Sequence, residues 1–353
     1  MSTPNTSRIA YLDGIRAVAV LSVMAMHFGL ARGGYVGVDV FFVLSGFIIT
    51  RLLWTRRETM TYGRFLLARV RRLYPALIGV VVVGGLLAIV VGGLPIGRTA
   101  RAGAMALLQA NSVNVPLGWL PYDPWGVTWS LSAEWVSYLL LPIVLLLARR
   151  LSVRRVAIAF AVLAVLFFAV SLLLDPLWFY FGPVSRAAQV FAGGAVALAT
   201  FGVAPTSWSY RLVAPGAVLA LAGILAWVVR GYIEMQPIYR FVGFPMVTLA
   251  ACVLVIAASF AANSAVVRVL SVAPLAAIGR VSYSLYLWHT VSFAILGSRI
   301  DNFPTITWQL LSLLLTLVAT WFSYNYLEKP FMKSQSSALL PAATSQRPAG
   351  DAE

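Results

Sequence analysis

The sequence predicts an all-α integral membrane protein, a bundle of about ten transmembrane helices with both termini in the cytoplasm. Three observations carry that expectation. Hydrophobic residues make up 61% of the chain and charged residues only 10%, whereas a soluble domain is nearer half apolar and a quarter charged; the mean hydropathy is +0.88. The apolar residues fall in stretches of about 20, the length that crosses the hydrocarbon layer. The arginines concentrate in alternate connections between those stretches, as the positive-inside rule requires.

In chain order the stretches are 9–29, 35–54, 73–93, 129–148, 154–174, 184–202, 209–229, 240–261, 277–298 and 306–327. The first contains YLDGIRAVAVLSVMAMHFGL, apolar but interrupted by Asp13, Arg16 and His27. It does not divide into the basic and short apolar regions of a cleaved leader, so it is expected to stay in the membrane as an anchor. The second, GGYVGVDVFFVLSGFIIT, opens with Asp39. The third follows the arginine-rich FLLARVRRLYP (65–75), and the fourth grows out of WGVTWSLSAEWVSYLLLP (125–142). The eighth holds the single cysteine, Cys252, so no intrachain disulfide can form. The ninth carries GRVSYSLYLWH (279–289).

The connection 51–72 holds seven arginines, and Arg149, Arg150, Arg154 and Arg155 follow the fourth stretch. Connections after odd-numbered stretches hold only Arg32, Arg98, Arg101, Arg230, Arg240 and Arg299. The net charge of +15 therefore reads as topology, and no nucleic-acid partner is expected. The longest external connection, 94–128, has four prolines; it is either an irregular connector or a roof over an outer-face site. Residues 1–333 form one membrane domain, and 334–353, small, polar and proline-containing, form a disordered cytoplasmic tail. No internal repeat is visible, which weighs against a transporter built from duplicated halves.

Ionisable groups are costly in hydrocarbon and mark function when present. Arg16 and His27 are eleven residues apart, about 20° from three whole turns and about 16 Å along the axis, so they share one helix face at opposite depths. Asp39 enters at the depth of His27. It is either a carboxylate that orients the imidazole or a charge favoured at a helix start. Gly46, seven residues on, shares its face and permits close approach. Arg69 and Arg72 share a face if helical, and beside Arg16 they form an anion mouth. Glu134 and Tyr138 point to a polar cavity. Tyr283, Tyr286 and His289 form a stripe that is either part of that cavity or an interfacial belt. His27, Asp39, Glu134 and His289 thus fall in the outer half and the arginines in the inner half. This axis fits an anionic cytosolic donor meeting an acceptor at the outer face. A transporter of an acyl group or glycolipid, and a non-catalytic scaffold, are the rival readings. No metal site is expected.

These residues resemble the acyltransferase-3 family of bacterial membrane acyltransferases. The likeness rests on Arg16 and His27 with ten residues between them, GVDVFFVLSGFIIT, WSLSAEW, SYSLYLWH and the closing SYNYLEKPF (323–331), in that order. Ala68 stands where the family often has a further arginine, and His289 is followed by Thr290 and Val291 rather than by the common His-x-Pro. The resemblance implies a stand-alone O-acyltransferase of the bacterial inner membrane, without the hydrolase-like domain often appended in the family. It would move an acyl group, usually acetyl, from acyl-CoA to a hydroxyl of a carbohydrate, glycolipid or glycosylated metabolite, with no permanently bound cofactor. It implies that His27 is catalytic and that Arg16, Arg69 and Arg72 hold the donor. On that basis His27 is expected to act as general base, oriented by Asp39, with Glu134, Tyr138, Ser132, Tyr286 and His289 around the acceptor. Ser45, Ser132 and Tyr286 remain open as oxyanion donors, and a covalent acyl-enzyme route also remains open.

Overall fold

The structure, a computed structural model, describes residues 6–118, 124–232, 234–297 and 305–332. The expected tail 334–353, and residues 119–123 of the long connection, lie outside the described residues. The described residues are all-helical. In order they form α1 (Thr6–His27), α2 (Val36–Thr55), α3 (Tyr62–Gly79), α4 (Gly85–Val90), α5 (Ile96–Leu107), α6 (Asn111–Asn114), α7 (Thr128–Leu147) and α8 (Val153–Ser171). There follow α9 (Pro176–Phe181), α10 (Pro183–Ala199), α11 (Ser207–Arg230), α12 (Phe244–Phe260), α13 (Ala265–Leu270), α14 (Ala273–Arg280), α15 (Ser282–Gly297) and α16 (Thr305–Phe322).

Each of the ten expected stretches overlaps a helix, the ninth being divided between α14 and α15 at Val281. Eight of these are long and apolar enough to cross a membrane; α10, with 17 residues, and α15, with 16, are shorter. The third span differs most from the sequence reading. It starts at Tyr62, not at 73, and runs through a π turn at Val80–Gly84 to Val90. Thr61 caps it by accepting from the Arg64 backbone N–H, and Pro75 sits within it. Arg69 and Arg72 are therefore on the spanning helix itself. Part of the long connection is helical, with α5 at Ile96–Leu107 and α6 at Asn111–Asn114. Tyr74 Oη of α3 donates to Leu107 O at the end of α5, at 3.1 Å.

Without a hydrophobic drive between helices in lipid, small residues that let backbones touch decide which helices pair. A Cβ on Gly14 would sit 1.8 Å from Leu270 O, and one on Gly279 would sit 1.8 Å from Asp13 O. These two contacts seat α1 on α13 and α14. A Cβ on Gly46 would come within 2.1 Å of Val190 O, and one on Gly193 within 2.0 Å of Val43 O. Each glycine opens a slot for the other helix, so α2 and α10 run side by side in parallel. That crossing fixes the rotation of α2. Gly46 faces α10, and so does Asp39, two turns earlier; Ser45, one residue from Gly46, is turned about 100° away.

Candidate active site

α1, α2, α3, α7 and α15 enclose a cavity of about 130 Å³. Three arginines line it, Arg16 from α1 and Arg69 and Arg72 from α3. Glu134, Tyr138 and Ser130 of α7, Ser45 of α2 and Ser282, Tyr283 and Tyr286 of α15 complete its polar wall, with Phe41, Phe42 and Leu131 among the apolar remainder. Eight of the residues singled out from sequence therefore share one hollow: Arg16, Ser45, Arg69, Arg72, Glu134, Tyr138, Tyr283 and Tyr286.

The arginines are held in different ways. Arg16 donates to Asp13, one turn before it, at 3.1 Å. Arg69 lies over the Phe65 ring at 5.2 Å and the Tyr138 ring at 5.6 Å, and its buried Nε has no hydrogen-bond partner among the described residues. A guanidinium stacked on rings keeps its N–H edge available for an anion. Ser45 Oγ donates to Glu134. Tyr283 Oη ties α15 to α3 by donating to Leu73 O at 2.8 Å.

Tyr286 closes the far end of the cavity. Its hydroxyl donates to Val127 O at 3.0 Å and lies 2.7 Å from Ser130 Oγ, while its ring stands 5.6 Å from that of His289. His289 in turn meets His27 edge-on, with ring centroids 4.8 Å apart. The rings of Tyr286 and His289 thus link the cavity to His27, which is not among its lining residues.

The two imidazoles are joined by a hydrogen bond. His289 Nε2 is 3.2 Å from His27 Nδ1. His27 Nδ1 is also 3.0 Å from Val23 O, and His289 Nδ1 is 3.3 Å from Leu285 O. Carbonyl oxygens only accept, so both Nδ1 atoms carry the proton. His27 Nδ1–H is shared between Val23 O and His289 Nε2, and the basic lone pair of His27 is on Nε2. His289 is fully buried, with its own Nε2 already accepting; His27 is only partly buried.

Three expectations need correction. Asp39 does not touch His27. It is fully buried and ion-paired with Arg186, also fully buried. It further accepts from Gln189 Nε2 at 2.9 Å and from Tyr239 Oη at 2.9 Å. The reason is the α2–α10 crossing: Gly46 and Asp39 share the face that packs on α10, where Arg186 lies seven residues before Gly193. His289 supports His27 and does not line the cavity. Ser132 is turned away and donates to Thr128 O at 3.0 Å, while Ser130 takes the wall position. The spacing 130, 134, 138, four residues each, was the available signal for Ser130. Arg186 was missed because an arginine near a helix start reads as interfacial. Among the described residues no group of three or more His, Cys, Asp or Glu side chains could hold a metal ion.

A hydrogen-bonded pair of imidazoles beside a three-arginine cavity, inside a membrane bundle, has the make-up of an intramembrane group-transfer site. Comparison with known proteins narrows it: residues 9–325 match the acyltransferase domain family, and the chain belongs to that family. It is 28% identical to the peptidoglycan O-acetyltransferase OatA of Listeria monocytogenes, over 92% of this chain and 56% of the relative. It is also 28% identical to the O-acetyltransferase OatA of Staphylococcus aureus, over 95% of this chain and 59% of the relative. The putative peptidoglycan O-acetyltransferase YrhL of Bacillus subtilis is 28% identical, over 90% and 54%. The chain thus spans little more than half the length of these relatives. No solved structure matches it.

Proposed function

We propose that this chain is an O-acyltransferase of the bacterial cytoplasmic membrane that moves acetyl, or another short acyl group, from acyl-CoA to a carbohydrate hydroxyl. The relatives' activity on peptidoglycan makes a cell-wall glycan the first acceptor to test. The observation that carries the reading is the pairing of a three-arginine cavity with an imidazole whose basic lone pair is on Nε2, linked to that cavity through Tyr286 and His289. Arginine distribution supports a cytoplasmic position for the end with Arg57, Arg149 and Arg150, and in this reading the anionic donor enters from there.

In this reading the guanidinium groups of Arg16, Arg69 and Arg72 hold the donor phosphates, and the uncharged pantetheine arm points at Tyr286. Tyr286 is the side chain that turns to let the thioester reach His27. His27 Nε2 takes the proton of the acceptor hydroxyl as its oxygen attacks the thioester carbonyl. The tetrahedral intermediate collapses by breaking the C–S bond, and the departing sulfur takes the proton back from His27. An ester and free coenzyme A result, with no net change in protonation. His289 holds the imidazole and accepts from Nδ1–H throughout, the role a carboxylate plays in a Ser-His-Asp triad.

Purified protein in nanodiscs, given radiolabelled acetyl-CoA and glycan oligomers, tests this. Wild type should label the glycan, and His27→Ala should lose a factor of roughly 10²–10⁴ in kcat while keeping donor affinity. Label transfer by the variant at the wild-type rate would remove His27 from the chemistry.

A further inference from the structure

The cavity changes character along its length. Arg69 marks one end, where its guanidinium stacks on the Tyr138 ring at 5.6 Å. Ser130 precedes Tyr138 by eight residues on α7, about 12 Å along the axis, and lines the other end with Leu131. There Val38 and Phe41 of α2 and Leu287 of α15 complete an apolar wall. The hydroxyls of Ser130 and Tyr286 at this end are 2.7 Å apart, and each lies 3.0 Å from Val127 O, so both protons are spent among these three groups. Phe41 is partly buried and meets Tyr286 edge-on, with ring centroids 6.4 Å apart. Both rings pack against the main apolar core and also against a small cluster of Val20, Met24, Phe28 and Leu285, which includes the chain neighbour of His27. Phe42 lines the cavity too, but its ring is covered by the Arg186 guanidinium at 5.5 Å and belongs to the buried network around Asp39.

We infer that the apolar end of the cavity receives the acyl group of the donor, and that the Phe41 ring limits that group to the length of acetyl. The inference rests on the acyl-CoA reading above and deepens it, because that reading leaves the acyl group open. A donor whose phosphates sit at the arginines extends its thioester toward Tyr286. Its acyl carbons are then the part that meets Val38, Phe41, Leu131 and Leu287. A wall of hydrocarbon whose hydroxyls are bonded to one another suits an alkyl group and offers nothing to a charged one. Phe41 is the part of that wall a longer chain would strike. Tyr286 is the ring that turns in the transfer step, whereas Phe41 is wedged between Tyr286 and the two apolar clusters. Extra methylenes in a packed apolar site force side chains from their rotamers, and an apolar pocket discriminates by about tenfold or more per methylene. Core packing alone would also place a phenylalanine here, but it would not grade donors by length.

The experiment measures kcat/KM for acetyl-, propionyl- and butyryl-CoA with glycan oligomers in nanodiscs, for wild type, Phe41→Leu and Phe41→Ala. Wild type should prefer acetyl-CoA over butyryl-CoA by roughly a hundredfold, two methylenes at the lower end of that discrimination. Phe41→Ala should move the butyryl-to-acetyl ratio toward butyryl by about tenfold or more, and Phe41→Leu should move it the same way by less. Each ratio is taken within one variant, so a loss of folded protein cancels. Should the alanine variant fail to fold, the leucine variant decides, and a ratio equal to that of wild type would overturn the assignment. An equal fall for all three donors in either variant would make Phe41 a packing residue and overturn it also. A wild type that uses butyryl-CoA as well as acetyl-CoA would overturn the length limit while leaving the donor reading intact. Absence of turnover with every donor in wild type would overturn the donor reading and the acyl pocket together.

Discussion

Asp39 and Glu134 are both carboxylates in spanning helices, and both meet α2 or belong to it, yet they are treated in opposite ways. Asp39 is sealed. Arg186, Gln189 and Tyr239 all donate to it, and Arg186 is itself closed in by the rings of Tyr180 at 4.9 Å and Trp129 at 5.2 Å and by Tyr180 O. Glu134 is only partly buried and accepts from Ser45. No ion pair among the described residues joins it to the three arginines that share its cavity. A buried charge answered on every side by protein is a device for setting helix rotation, whereas charges of both signs kept apart around a hollow await a ligand. The α2 helix serves both. Its Asp39–Gly46 face locks on α10, and that lock aims Ser45 into the cavity.

The sharpest way to break this contrast is to remove one half of the sealed pair. Arg186→Leu leaves a carboxylate alone in a dry site and should destabilise the fold by roughly 3–5 kcal/mol, read as a lower midpoint in detergent-resistant unfolding. The double change Asp39→Leu/Arg186→Met removes both charges and should recover most of that loss. A single variant as stable as wild type would mean that Asp39 is not held as a charge at all, and the distinction between the two regions would fail.

The cavity carboxylate should respond in the opposite sense. Glu134→Gln keeps the acceptor oxygen for Ser45 and leaves the unfolding midpoint within about 1 kcal/mol of wild type, as substitutions away from a sealed network usually do. Transfer should fall by roughly tenfold to a hundredfold, because the negative charge facing the arginines is gone. A large drop in stability with unchanged turnover would assign Glu134 to architecture alongside Asp39.

The sequence made one of these regions readable and hid the other. Arg16, Arg69, Arg72, Glu134 and Tyr138 were visible because an ionisable group amid apolar residues has no solvent to face, and helical spacing fixes which of them share a side. The ten helices were visible for the related reason that each needs its own apolar run. Partnership across helices was not visible. Asp39 and Arg186 are 147 residues apart, and the choice between facing His27 and facing α10 depends on which glycine slot α2 occupies. The same limit misplaced Ser132, two residues from Ser130 and some 200° around the helix. It also left His289 as a cavity residue when its ring is spent on His27. The start of the third span was misread because three arginines, at 69, 71 and 72, resemble a loop until the cavity accounts for two of them.

The smallest effect expected is at His289, and it separates a structural from a positioning role. His289→Gln can place an amide oxygen near the position of Nε2 and continue to accept from His27 Nδ1–H; His289→Leu fills the space without an acceptor. The Val23 carbonyl still holds the His27 tautomer in both, so neither variant should abolish transfer. The glutamine variant should lose only about twofold to threefold in kcat, and the leucine variant about tenfold, the worth of one hydrogen bond to a ring that becomes cationic in the proposed reaction. Donor KM should stay unchanged in both, because His289 lies beyond Tyr286 from the arginines. If the leucine variant matched the glutamine variant in kcat, the bond from His27 to His289 would contribute packing and nothing to the proton transfer.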